Sequence, residues 1–219
     1  MQIKISTIKF PELSLHTRDA HKLRGYFGNL FKEHSPLLHN HFSDGSHRYA
    51  YPLVQYKVIN KIPFLVGLNE GAELLTSLFL EIKELIIDET KYHVYSKNIE
   101  NRIHDIDVTD DLYQYEFTTL WMALNQGNHK KYISLDESKK KIMLKKILTG
   151  NILSFYKGMD FFTDKQIMLT TDLQEKQTKF KDNKMMAFSG NFTTNAVLPD
   201  LIGLGKAVSR GFGTIIKKN

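Results

Sequence analysis

The sequence predicts an α+β protein built from two tandem ferredoxin-like (RRM-like) domains, each an antiparallel sheet with helices on one face. Three observations carry that prediction. Through residues 2–108, period-two and 3.6-residue apolar patterns alternate in the order strand, helix, strand, strand, helix, strand. The second half runs through a variation on that order, with a glycine-rich segment where its second helix would stand. The 219 residues, 42% hydrophobic and 25% charged, suffice for two small cores. A boundary near residue 110 gives domains 1–110 and 111–219, with no repeat visible in the sequence itself.

Residues 2–9 alternate Ile3, Ile5 and Thr7 with polar neighbours, as a half-buried strand does. From His16 to Glu33, Ala20, Leu23, Phe27, Leu30 and Phe31 recur at helical spacing, with Arg18, His21, Lys22 and Lys32 on the other face. A histidine-rich loop with "SDGS" turn chemistry follows. Strands are expected over Tyr49–Val58 and Pro63–Gly67, joined by "INKI". A second helix is expected from Glu70 to Leu85, burying Leu74, Leu75, Leu78, Phe79 and Ile82, and extended chain over 86–108. In the second half, 112–124 reads as a strand. Ser134 and Glu137 read as a capping box opening a helix to Phe155, with Ile142, Leu144, Ile147, Leu148 and Ile152 inward. Its exposed face would carry Lys139, Lys140, Lys141, Lys145 and Lys146. Strands over 166–177 and 184–197 turn at "KDN", and a short last strand closes the chain.

The absence of cysteine excludes disulfides and thiolate zinc sites and suits a reducing compartment. No apolar run is long enough to span a bilayer, and "MQIKISTIKF" is too polar and too regular for a signal peptide. A cytoplasmic protein with no membrane partner is expected. The net charge of +6 is uneven. Residues 111–219 hold 17 Lys and Arg against 10 Asp and Glu, whereas residues 1–110 hold 13 against 14. A basic second half points to a polyanion, although a lysine-rich composition alone would produce the same excess.

The stretch "GLGKAVSRGFG", Gly203 to Gly213, puts four glycines beside Lys206 and Arg210. Glycines let backbone N–H groups approach a ligand, and the two cations favour an anion. Ala207 after Gly205-Lys206 rules out a P-loop, and Val208 stands where a dinucleotide fingerprint needs its third glycine. A basic loop holding a nucleic-acid backbone is the better reading. Four of the nine histidines, His34, His39, His41 and His47, lie within fourteen residues. No carboxylate or cysteine set completes a metal motif around them, so no metal and no cofactor is expected. Solvated loop histidines are one reading. The other is RNA cleavage by transesterification, in which one imidazole takes the 2′-hydroxyl proton and another protonates the leaving 5′-oxygen.

"LRGYFGNLF" (23–31), "LLHNH" (37–41), "YAYPLVQYKVI" (49–59), "FLVGLNEG" (64–71) and "GLGKAVSRGFG" (203–213) together resemble the CRISPR repeat-processing endoribonucleases. The likeness is to their subtype-B branch in the repeat-associated mysterious protein superfamily, and it spans nearly the whole chain. It implies tandem ferredoxin-like domains and metal-independent cleavage of the CRISPR precursor transcript within each repeat. The implied ends are a 5′-hydroxyl and a 2′,3′-cyclic phosphate. His39 and His41 stand at the branch's paired histidines, and Tyr26 matches a first-helix tyrosine of some relatives. A lysine used by some relatives has no clear match, with His47 and Arg48 in its place and Lys57 further along. Gly203, Gly205, Lys206, Arg210, Gly211 and Gly213, with Arg24, would hold the repeat RNA. Hairpin repeats would be read by shape and backbone charge, single-stranded ones by their bases. The resemblance also admits a homodimer, other CRISPR effector subunits as partners, and a catalytically inactive RNA-binding subunit as the alternative function.

Overall fold

In a computed structural model the described residues are 1–30, 51–180 and 183–218. They form two compact units: Gln2–His104 with Ser209–Gly211, and Asp105–Val208 with Met1 and the segment from Phe212 onward. His34, His39, His41 and His47, the last residues expected in the first helix, and most of the "KDN" turn lie outside the described residues.

The first unit contains β1 (Gln2–Lys9), α1 (Ala20–Leu30), β2 (Val54–Ile59), β3 (Ile62–Leu68), α2 (Glu70–Leu78), β4 (Glu84–Ile87), β5 (Thr90–His93) and β6 (Asn98–Asp105). Its four-stranded sheet has the order β2-β3-β1-β6, with Thr7 opposite Val66 and Val66 opposite Gln55 in antiparallel registers. That order is the ferredoxin-like one, with β6 as the fourth strand. The β2–β3 turn uses Asn60 and Lys61, both at positive φ, as a two-residue hairpin in a right-twisted sheet requires. The chain enters α1 through a 3-10 turn at Thr17–Asp19, where the Asp19 carboxylate accepts from the His16 amide at 3.0 Å. Ala20, Leu23 and Phe27 then bury one stripe against Tyr56, Val58 and Leu65. Burying Leu23 and Phe27 stabilises the packing by roughly 2 kcal/mol each. Leu30, expected on that stripe, is 46% exposed.

Two departures from expectation occur here. The second helix stops at Leu78 and passes through a 3-10 turn at Phe79–Glu81. The segment 84–93, read partly as helix end and partly as plain extended chain, forms a separate hairpin of β4 and β5. Asp88 and Glu89, both at positive φ, make its turn. Ile82 and Leu85 are buried whichever way the segment folds, so apolar spacing does not distinguish the two.

The second unit contains β7 (Asp107–Trp121), α3 (Gln126–Ile133), α4 (Glu137–Gly158), β8 (Leu169–Phe180), β9 (Asn183–Val197) and β10 (Ile215–Lys217). Its sheet order, β10-β7-β9-β8, repeats the first with every pairing antiparallel. Leu144, Leu148, Ile152, Phe155 and Tyr156 of α4 are buried. Trp121 is core, stacked on Phe117 at 5.4 Å with its indole N–H donating to Asn151 at 3.1 Å. The short helix α3 was not anticipated, and it displaces the expected cap. The Ser134 hydroxyl donates to Lys131 O at 2.8 Å to close α3, so Asp136 caps α4 instead, accepting from the Lys139 amide at 2.9 Å. Ile142, expected inward, is 65% exposed. Lys139, Lys141, Lys145 and Lys146 are exposed as expected, and Lys140 alone is partly covered. Lys140 lies over the Tyr132 ring at 5.3 Å and Lys139 pairs with Asp136 at 2.8 Å.

Candidate nucleic-acid interface

The stretch from Gly203 to Gly213 folds back on itself. Gly203 bridges Thr214 antiparallel, and the Leu204 amide donates to Gly213 O at 2.9 Å. The Lys206 amide donates to Met122 O at 3.1 Å, and the Lys206 side chain is exposed. At Gly205, φ is +93° and an added Cβ would lie 2.5 Å from the Trp121 indole nitrogen. Only glycine seats the loop on that ring. Gly213 also has positive φ, and so does Ala207, a left-handed residue that pays strain within the loop.

Val208–Arg210 makes a 3-10 turn, and Ser209–Gly211 belongs with the first unit. Gly211, at φ +88°, passes between the start of α1 and β2. An added Cβ there would meet the Ala20 Cβ at 2.9 Å and Tyr56 O at 3.1 Å. This passage sets Arg210 beside Arg24 of α1. Burial depresses the Arg24 guanidinium below its usual range, and the neighbouring charge of Arg210 depresses it further. A phosphate placed between two neighbouring guanidinium groups can accept charge-assisted hydrogen bonds from both.

Beneath Arg24, the buried Tyr56 ring stacks on Phe27 at 5.9 Å, and burial raises its hydroxyl well above the ordinary tyrosine range. The next residue, Lys57, is fully buried on the opposite face of the sheet, where burial lowers its ammonium pKa to about 7. Register places Lys57, Phe64 and Lys9 in one cross-strand row on that face, with Lys9 Nζ 5.9 Å from the Phe64 ring centre. The alternation in "VQYKV" would have put Lys57 in solvent; no local signal foretells its burial.

Tyr26 lies two positions from Arg24, hence about 200° around α1 and away from the Arg24–Arg210 pair. Its hydroxyl donates to Glu84 O at 2.8 Å, and burial, followed by the Glu84 charge, disfavours its ionisation. Arg24, Arg210 and Gly211 therefore come together, Gly203, Gly205, Lys206 and Gly213 belong to the other unit, and Tyr26 turns toward β4. His39 and His41 lie outside the described residues. Among the described residues no three His, Cys, Asp or Glu side chains converge as cation ligands, and no helix is long and apolar enough to cross a membrane.

Comparison with known proteins gives consistent matches. The Cas6b N-terminal domain family matches residues 1–105, and the Cas6b C-terminal domain family matches residues 107–218. A crystal structure of Cas6b superposes with a TM-score of 0.95 at 34% identity, with 100% of both chains covered. That of the CRISPR RNA processing endoribonuclease Cas6b superposes at 0.81 with 32% identity and 100% of both chains covered. An uncharacterized protein of Methanocaldococcus jannaschii is 34% identical over 141 residues, which make up 64% of this chain and 96% of that one.

Proposed function

The chain belongs to the Cas6b family, and from that premise we propose that it is an endoribonuclease that cuts CRISPR precursor transcripts within their repeats without a metal ion. The ribose 2′-oxygen attacks the adjacent phosphorus in line as its bond to the 5′-oxygen breaks, leaving a 2′,3′-cyclic phosphate and a 5′-hydroxyl. His39 and His41 share the two proton transfers, one accepting the 2′ proton and the other donating to the leaving oxygen. Arg24 and Arg210 meet the phosphate charge that grows in the transition state. The match of both halves of the chain to the Cas6b domains is the observation that carries this reading. Lys206 and the loop glycines Gly203, Gly205, Gly211 and Gly213 hold RNA backbone. Tyr26, whose hydroxyl donates to Glu84 O on the side of α1 away from the arginine pair, serves the site in this reading by holding α1 to the β4–β5 hairpin.

The test is repeat RNA incubated with protein in excess EDTA, beside the same RNA carrying one 2′-deoxy substitution at the cut. Cleavage of the first alone is expected, with a bell-shaped pH dependence that either His39→Ala or His41→Ala abolishes. Binding without cleavage of either would instead identify a catalytically inactive RNA-binding subunit.

A further inference from the structure

The β4–β5 hairpin is an addition to the four-strand, two-helix plan of the first unit, and its two faces differ sharply in character. Register sets Leu85 opposite Tyr92, and both point into the core with Ile87 and Val94. Glu84 opposite His93 and Ile86 opposite Lys91 occupy the outer face. Ile86 there is 42% exposed, and Tyr95, on the same side just beyond β5, is 85% exposed. The Tyr95 ring is nonetheless placed: it lies 5.9 Å from the His93 ring at 37°. The carboxylate of this face, Glu84, is paired with Lys91 at 2.5 Å.

Two further cations, Lys83 and Lys97, belong to the segments flanking the open end of the hairpin. The Val94 amide donates to Lys83 O at 3.0 Å, which brings Lys83 to the same end of the hairpin. Lys97 lies over the Phe79 ring at 5.0 Å and donates to Ile82 O. Burial, and after it the charge of Lys83, depresses the Lys97 ammonium, so the two lysines lie within each other's field. The hairpin is also anchored to α1, through the Tyr26 bond to Glu84 O and the Lys22–Asp88 ion pair. An aromatic pair open to solvent, backed by a fixed scaffold and flanked by cations, has the parts that unpaired nucleotides need: a ring face for the base and positive charge for the backbone.

We propose that Tyr95 and His93 form a stacking platform for an unpaired base of the bound RNA, with Lys83 and Lys97 meeting the adjoining phosphates. This rests on the RNA reading above but concerns a surface apart from the Arg24–Arg210 pair. The test uses repeat RNAs that each carry one 2-aminopurine outside the cleavage position, titrated with wild-type protein and with Tyr95→Ala, His93→Ala and Tyr95→Phe. Wild type should quench the probe at one position, and Tyr95→Ala should lose that quench and bind about tenfold or more weakly. Tyr95→Phe, which keeps the ring, should behave as wild type, and cleavage at saturating Tyr95→Ala should keep its wild-type rate. Unchanged affinity and quench in Tyr95→Ala would overturn the platform while leaving the nuclease reading intact. A quench that depends on Tyr95 on RNA that is never cut would leave the platform standing and remove the nuclease reading.

Discussion

Burial lowers the Lys57 ammonium pKa to about 7, against 10.5 for an exposed lysine. Between those two values the unfolded chain holds a proton at Lys57 that the native chain has released. Stability therefore rises with pH across that window and is lost as pH falls from 10.5 toward 7. Below that the difference is constant, at a few kcal/mol. Lys57→Met keeps the volume and removes the proton. Denaturant unfolding should show the variant gaining most over wild type near pH 7, with the gap narrowing toward pH 10. A gap independent of pH would mean that burial is not what sets this lysine's proton affinity. Gly211, packed against the same strand, is demanded on two counts: its φ is +88°, and an added Cβ would meet the Ala20 Cβ at 2.9 Å and Tyr56 O at 3.1 Å.

The elements were legible where local pattern and local structure coincide. The alternation of β1, the helical stripe of α1 and the Asn60-Lys61 turn appear where their spacing places them. The misplaced elements are those in which two local solutions bury the same side chains. Ile82 and Leu85 serve a helix end or a hairpin equally, and Ser134 offers a cap to α4 until α3 takes it. The true α4 cap makes a direct prediction. Asp136→Ala removes the acceptor of the Lys139 amide and should lower the melting temperature by about 2–4 °C. Asp136→Asn, which keeps an acceptor oxygen, should melt close to wild type; equal losses in both variants would assign the effect to charge instead.

The whole chain carries +6. Lys139 and Lys140 at the head of α4 are neutralised by Asp136 and Glu137. Arg24 and Arg210 lie in each other's field, and RNA affinity should fall steeply with salt and depend on this pair. In Arg24→Ala/Arg210→Ala the slope of log affinity against log salt should become shallower by about 1.4 for single-stranded RNA. An unchanged slope would place the phosphates elsewhere. Fold class, the duplicated plan, the basic glycine stretch and the family resemblance were all readable from the chain, because periodicity and short motifs are properties of neighbouring residues. The meeting of Arg24 with Arg210, the burial of Lys57 and the outward face of Tyr95 were not. Each depends on which distant segment packs where, and side-chain spacing along the chain carries no record of that.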